Sequence, residues 1–85
     1  MDHQTKQTID YSLFTLSELL GRKIRHIRKN MHLSQEEFAW KIDVHRTYLG
    51  QIERAEKNIS IRNIQKICEA LAIDPKDLFD FSDVL

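Results

Sequence analysis

Residues 34–53 contain the pattern that most constrains the fold of this chain, two short amphipathic helices joined by a tight connector. The second of these helices carries a polar stripe made of Arg46, Thr47, Gly50, Gln51 and Arg54. Because an α-helix turns once in about 3.6 residues, these positions share one surface, while Leu49 and Ile52 point to the opposite side. One face of this helix is therefore predicted to be buried and the other exposed.

The residue types on the exposed face suit recognition of double-stranded DNA. Arg and Gln side chains form paired hydrogen bonds with the edges of guanine and adenine, and an α-helix fits the major groove of B-DNA. We interpret the stripe as a surface for sequence-specific DNA binding. A polar helix face that contacts only solvent is the alternative interpretation of Arg46 and Gln51.

Helix-capping signals extend this pattern to the whole chain. Ser or Thr followed three residues later by Glu is a capping box, and Thr15 and Ser34 both stand in this pattern. Pro75 is suited to the first position of a last helix. The predicted N-terminal caps are Thr15, Ser34, His45 or Asp43, Ser60 and Asp74. The sequence therefore predicts an all-α fold of five short helices, beginning near residues 16, 35, 46, 61 and 75.

Two of the predicted helices carry apolar stripes at helical spacing. In the first helix the stripe consists of Leu20, Ile24, Ile27 and Met31. In the fourth helix it consists of Ile61, Ile64, Ile67, Cys68 and Leu71. Because Cys68 lies on an apolar face, we interpret it as a buried small hydrophobe rather than a reactive thiol.

The length of 85 residues corresponds to one small domain, which can bury about 60 to 65% of the surface of its unfolded chain. Such a monomer is marginally stable, so a partner chain is expected. The C-terminus carries more apolar surface than a short last helix is expected to bury in its own chain. We therefore predict a homodimer interface formed by Ile73, Leu78, Phe79, Phe81, Val84 and Leu85.

The N-terminal residues 1–15 are predicted to form an arm, and residues 16–85 the DNA-binding domain. The arm begins polar but becomes apolar from Ile9 onwards, so we expect it to cover part of the core or of a partner chain. Trp40 occupies an outward position of the second helix. The sequence favours a contact between Trp40 and the arm, with a contact to a partner protein or a partly exposed surface aromatic as the alternatives.

The formal net charge of zero conceals an asymmetry along the chain. Residues 22–33 contain five Lys or Arg residues and no acid, whereas residues 69–85 contain five acids against Lys76 alone. A polarised domain of this kind can turn a basic side towards phosphates. For the basic run itself we favour a solvated surface of the first helix, with phosphate contact as the alternative.

Several classes of protein are disfavoured by composition. No apolar run approaches the about 20 residues that cross a bilayer, and the N-terminus is polar, so a soluble cytoplasmic protein without a membrane partner is expected. The single Cys and the four His show no metal-ligand spacing, and no cofactor is expected. The chain contains no recognisable nucleophile and base pair and no phosphate-binding glycine loop, so we do not expect an enzyme.

The segments IRHIRKN, LSQEEFAWKIDV, HRTYLGQIER and EALAI resemble the Cro/CI-type helix-turn-helix family, also called XRE-like regulators. The resemblance covers residues 20–80 and implies a lambda-repressor-like helix-turn-helix bundle. RTYLGQIER followed by EKNISIRNI looks most like the controller proteins of restriction-modification systems. That resemblance implies a dimeric transcription regulator on a pseudo-palindromic operator.

The resemblance also assigns roles to individual positions. It places three residues where the family reads bases, namely Arg46, Thr47 and Gln51. It places Gln35, Tyr48 and Arg54 where the family contacts the DNA backbone, and Arg62 offers a further contact of this kind. Gln35 is also predicted at a helix N-terminus, where the helix dipole favours a phosphate.

Two residues depart from the family pattern. Most relatives carry Ser, Thr or Asp where His45 stands, so a weaker cap is expected there, although a protonated His45 could itself contact a phosphate. Many relatives carry Gly where Ala55 stands, after the third helix. We therefore expect Ala55 to adopt a positive φ at a cost in strain.

The sequence is compatible with two further functional interpretations. Glu36 stands where some activators of the family present an acid to RNA polymerase, and it equally suits the dipole of the second helix. In place of a controller protein, the chain could be an antitoxin-type interaction module that binds a toxin and autoregulates its operon.

Overall fold

The computed structural model describes residues 8–85, which form five α-helices and no strand. The helices are α1 (Leu16–Asn30), α2 (Gln35–Lys41), α3 (Arg46–Glu53), α4 (Ile61–Leu71) and α5 (Pro75–Leu78). The all-α prediction and the predicted helix starts are confirmed. Residues 1–7 of the predicted arm lie outside the described residues, and the division between arm and domain stays a prediction.

Capping side chains fix where the helices begin. The Thr15 hydroxyl accepts a hydrogen bond from the backbone N–H of Glu18 (3.1 Å), and the Glu18 carboxylate accepts one from the Thr15 N–H (2.8 Å). Ser34 and Glu37 form the same reciprocal pair at α2, with distances of 3.0 and 2.8 Å. Ser60 caps α4 through the Asn63 N–H. Five backbone donors at the starts of these helices thus find partners that the sequence pattern predicts.

The first four helices end in left-handed turns without using glycine. The positive φ angles are 59° at His32, 60° at Asp43, 58° at Ala55 and 54° at Ala72. After α3, the Glu56 N–H donates to the Gln51 carbonyl (2.8 Å) and the Ala55 N–H to the Ile52 carbonyl (3.0 Å), which is a Schellman motif. The expectation of a positive φ at Ala55 is confirmed.

The core lies between the helices and is mainly aliphatic, with Phe38 and Phe81 as its buried aromatic side chains. Its largest fully buried side chains are Phe38, Leu19, Ile24, Ile42, Leu49, Ile67 and Leu78. Gly21 allows α1 and α3 to approach closely, because a Cβ atom at this position would lie 2.5 Å from the Ile52 carbonyl oxygen. This contact fixes the inner side of α3 against α1 and leaves its other side to solvent.

Two positions of the predicted apolar stripes are more exposed than expected. Ile61 is 80% exposed, because it is the first residue of α4 and the core covers this helix only from Ile64 onwards. Met31 is 37% exposed because it follows the last residue of α1. Cys68 is buried as predicted, and its burial, together with the charge of Asp74, raises the pKa of the thiol.

The C-terminal segment packs onto its own chain more than the sequence suggests. Leu78 is completely buried and Phe81 is 5% exposed, so neither has surface left for a dimer contact, and these two assignments were wrong. The physical reason is that the segment after α5 folds back along α1. Lys23 Nζ lies 2.8 Å from the Asp83 carboxylate, and the Arg22 guanidinium donates to the Val84 carbonyl (3.3 Å).

The sequence favoured a solvated surface for the basic run of α1. In the structure this run is only partly solvated. Arg25 and Lys29 are exposed, whereas Lys23 and Arg28 are only 8% and 9% exposed, and each of these two is paired with an acid. Arg22 remains exposed, with its guanidinium 4.9 Å from the centre of the Phe14 ring.

The described part of the N-terminal arm covers the core and not Trp40. Ile9 and Phe14 are partly buried against the core, whereas Trp40 is 86% exposed on α2. The expected contact between Trp40 and the arm is therefore absent for residues 8–15. Between residues 8 and 85, no helix is long and apolar enough to cross a membrane.

Candidate nucleic-acid interface

Helix α3 has one side in the core and the other side in solvent. Leu49 and Ile52 are 1% and 3% exposed and anchor the helix from behind. Arg46 and Thr47 are exposed on the front, and Gln51 is half-buried there. The predicted base-reading residues thus share the outward side of one helix, with Gln51 the least accessible of them.

His45 caps α3 through its ring. Its Nδ1 atom accepts a hydrogen bond from the Thr47 backbone N–H (3.0 Å), which requires that this nitrogen carries no proton. The first turn of α3 contains no acidic residue, so no carboxylate there would repel a DNA phosphate. A phosphate contact by His45 stays a prediction, and it would use the exposed remainder of the ring.

A shallow concavity of about 260 Å³ lies where the start of α2 meets the front of α3. It is lined by Gln35, Arg46, Thr47, Gly50 and Arg54. Four of these five residues have side chains that donate hydrogen bonds, and two of them are cationic. The structure therefore brings predicted backbone-contacting and base-reading residues to a single surface.

A buried ion pair supports this surface from within and was missed at the sequence level. The Glu53 carboxylate, at the end of α3, accepts from Arg28 Nε (2.7 Å) and Nη2 (2.9 Å). Arg28 Nη1 also donates to the Leu33 carbonyl (3.0 Å), and Gln35 Nε2 donates to Glu53 (3.0 Å). The hydrogen bonds to Glu53 raise the pKa of the Arg28 guanidinium. One carboxylate thus joins α1, the start of α2 and the end of α3.

Arg54 is held by an acid at the edge of the concavity. Its Nε and Nη2 atoms donate to the two Glu56 carboxylate oxygens at 2.8 and 3.2 Å. The hydrogen bonds raise the pKa of Arg54 and lower that of Glu56. Both side chains are more than half exposed, so the pair is accessible to solvent and to ligands.

The two remaining predicted contacts lie near the start of α4. The Tyr48 hydroxyl accepts a hydrogen bond from the Asn63 side chain (3.0 Å), which leaves the hydroxyl proton free to be donated. Arg62 is exposed in the first turn of α4. Tyr48 is half-buried and packs against the core, which fixes the position of its ring.

Comparison with known proteins decides the family. The helix-turn-helix family model matches residues 24–78, which include α2, α3 and all the residues that line the concavity. The chain belongs to the helix-turn-helix family. As a helix-turn-helix protein it is a DNA-binding regulator of transcription.

Within the helix-turn-helix family, the chain is similar to the controller proteins of restriction-modification systems. It is 48% identical over 67 residues to control protein C.BamHI of Bacillus amyloliquefaciens, which covers 78% of this chain and 83% of that protein. It is 43% identical over 60 residues to control protein C.MunI of Mycoplasma sp, with coverages of 69% and 81%.

A solved structure supports the same assignment. The restriction-modification controller protein C.AhdI from Aeromonas hydrophila superposes with a TM-score of 0.68 at 37% identity, over 73% of this chain and 94% of that one. The resemblance read from the sequence motifs and the predicted fold class are thus confirmed.

Proposed function

We propose that this chain is a homodimeric, sequence-specific transcription regulator of the controller class, acting in the cytoplasm on a pseudo-palindromic operator. The observation that carries the proposal is the outward front of α3, where Arg46 and Thr47 stand exposed beside Gln35 and Arg54. A helix with this front enters a major groove, and a two-fold dimer places two of them about 34 Å apart.

The two groups of contacts have different tasks. Arg46, Thr47 and Gln51 are assigned to discriminate between base pairs, because they lie on the outward side of α3. The backbone contacts, which set the register on the duplex, are assigned to Gln35, His45, Tyr48, Arg54 and Arg62. The position of Gln35 is fixed by Glu53, which supports a defined phosphate contact.

We place the dimer contact at the remaining apolar surface of the C-terminus. Leu85 is 46% exposed, and Ile73, Phe79 and Val84 are only partly buried. Sedimentation of the wild-type protein and of a Leu85→Asp variant tests this assignment. The variant is expected to dissociate at concentrations where the wild type is dimeric, and equal sedimentation of both would contradict it.

The controller assignment predicts where the operator lies. A controller protein regulates its own operon, so the DNA just upstream of its gene is the expected target. A footprint on that DNA should show two protected half-sites. Half-saturation of a random duplex of equal length should require a protein concentration at least about a thousandfold higher. Equal affinity for both duplexes would contradict sequence-specific regulation.

RNA polymerase is a proposed partner on a different surface. Glu36 and Trp40 lie one turn apart on α2, and Trp40 is 86% exposed at a groove also lined by Met31 and Leu33. Transcription from the operator in vitro tests this contact. Glu36→Gln and Trp40→Ala proteins should bind the operator normally but activate less, and unchanged activation would contradict it.

The same exposed groove favours one alternative, an antitoxin-type module that binds a toxin. The groove measures about 740 Å³ and is more apolar than the concavity at α3. Tight copurification with the product of a neighbouring toxin gene would favour this alternative. A neighbouring endonuclease and methyltransferase would favour the controller assignment.

A further inference from the structure

The Arg54 guanidinium is already bound in the free protein by a group that resembles a phosphate. A carboxylate and a phosphate both offer two oxygens to the planar guanidinium, which binds either one through two parallel hydrogen bonds. Glu56 occupies this position with distances of 2.8 and 3.2 Å. A DNA phosphate must therefore replace Glu56 before it can bind the same Nε and Nη2 edge of Arg54.

The backbone fixes Glu56 at this place. Ala55 has a φ of 58°, and the Schellman turn returns the Glu56 N–H to the Gln51 carbonyl at 2.8 Å. On the other side of the guanidinium, a Cβ atom at Gly50 would lie 3.0 Å from Arg54 Nη1. The guanidinium thus lies between the front of α3 and the Glu56 carboxylate, inside the proposed DNA surface.

The pair has no evident structural task. Both side chains are more than half exposed, and neither belongs to the core. Exposed ion pairs of this kind contribute little to folding, whereas the charge of Glu56 next to a bound phosphate would be repulsive.

We propose that Glu56 limits the DNA affinity of this protein by competing with the DNA backbone for Arg54. This inference rests on the proposed function and adds a residue that sets how tightly the same surface binds. Because the contact is to the backbone, Glu56 weakens binding to all DNA sequences alike. In the bound state Arg54 leaves Glu56 for a phosphate, and the uncompensated carboxylate disfavours the complex.

Binding measurements with a charge-matched control test the proposal. The Glu56→Gln variant is compared with Glu69→Gln, which removes the same charge from an exposed position of α4 outside the concavity. Both are measured on the duplex from upstream of the gene and on a random duplex, between about 50 and 200 mM salt. We expect Glu56→Gln to bind both duplexes about two- to fivefold more tightly than Glu69→Gln at low salt.

A second background shows whether the effect passes through Arg54. With Arg54→Gln in place, the additional Glu56→Gln change should give no gain over Glu69→Gln. Equal affinities of Glu56→Gln and Glu69→Gln proteins, or a gain that persists without Arg54, would overturn this inference alone. If neither the wild type nor Glu69→Gln binds either duplex, the proposed function and this inference both fail.

Discussion

The Glu53 carboxylate and the Arg28 guanidinium form a two-pronged ion pair, with the Nε–Oε2 and Nη2–Oε1 atoms 2.7 and 2.9 Å apart. Their side chains are 3% and 11% exposed. A Glu53→Gln variant leaves the guanidinium buried without its counter-ion, so we expect a loss of about 3 to 5 kcal/mol in the free energy of unfolding. Urea denaturation measures this loss.

The exposed pair of Arg54 and Glu56 provides the control, since Glu56→Gln should leave the urea midpoint unchanged. Similar losses in both variants would contradict the prediction.

The two glycines should respond oppositely to alanine. At Gly21 the new methyl group would meet the backbone of α3, 2.5 Å from the Ile52 carbonyl oxygen, so Gly21→Ala should destabilise the protein by about 1 to 3 kcal/mol. At Gly50 it would meet only the mobile end of Arg54 at 3.0 Å, so Gly50→Ala should be neutral or gain helix stability. Thermal unfolding of both variants compares them. A higher melting temperature for Gly21→Ala would show that α1 and α3 are not in close contact.

Ala55→Gly should stabilise the protein. The φ of 58° places an alanine side chain in the left-handed region, which glycine enters without steric cost. We expect a gain of about 0.5 to 1 kcal/mol, because the strain relieved exceeds the entropy that glycine adds to the unfolded chain. Ala70→Gly, inside α4, is the matched control and should lose about as much. A loss in both variants would refute the strain at Ala55.

Acid should weaken the cap of α2. The pKa of Glu37 is lowered mainly by the hydrogen bond that its carboxylate accepts from the Ser34 backbone N–H, and to a smaller extent by the Ser34 hydroxyl. Because its pKa is lower in the folded protein, the Glu37 carboxylate stabilises the fold at pH values above its ordinary pKa of about 4.3. This stabilisation is lost as the pH falls through the lowered pKa. The stability difference between wild type and Glu37→Gln should therefore shrink from pH about 5 to about 3. A constant difference over this range, measured by urea denaturation, would contradict the assigned role.

Arg46→Ala and Arg62→Ala should have different effects on DNA recognition. If Arg46 reads a base, its loss costs about 1 to 3 kcal/mol on the operator and relaxes the preference at one base pair. Loss of a phosphate contact at Arg62 should weaken binding to all DNA sequences by the same factor and make the affinity less dependent on salt concentration. Selection of binding sites from random duplexes distinguishes the two variants. Equal losses of Arg46→Ala on operator and random DNA would reject the base-reading role.

Local signals in the chain predicted the helices well. The capping boxes at Thr15 and Ser34 involve residues three apart, so the sequence contains all the information that fixes these helix starts. The positive φ of Ala55 was likewise accessible, because a turn after α3 depends on adjacent residues. The front of α3 followed from helical periodicity alone.

Long-range pairing was not accessible in the same way. Arg28 and Glu53 are 25 residues apart, and Lys23 and Asp83 are 60 apart, so a run of basic residues looked like a solvated surface. The segment that brings Asp83 to α1 also buries Phe81, which the sequence pattern assigned to a dimer contact. Each of these errors has the same cause, since a partner distant in the chain leaves no periodic signal around the residue it covers.

The linkage of α2 to α3 through Gln35, Glu53 and Arg28 has a consequence for the DNA. Two helices that share a buried carboxylate cannot tilt independently to improve their fit in a groove. Adaptation must then come from bending or twisting of the duplex, whose stiffness varies from one base step to the next. We therefore expect untouched base pairs between the half-sites to influence affinity through their flexibility.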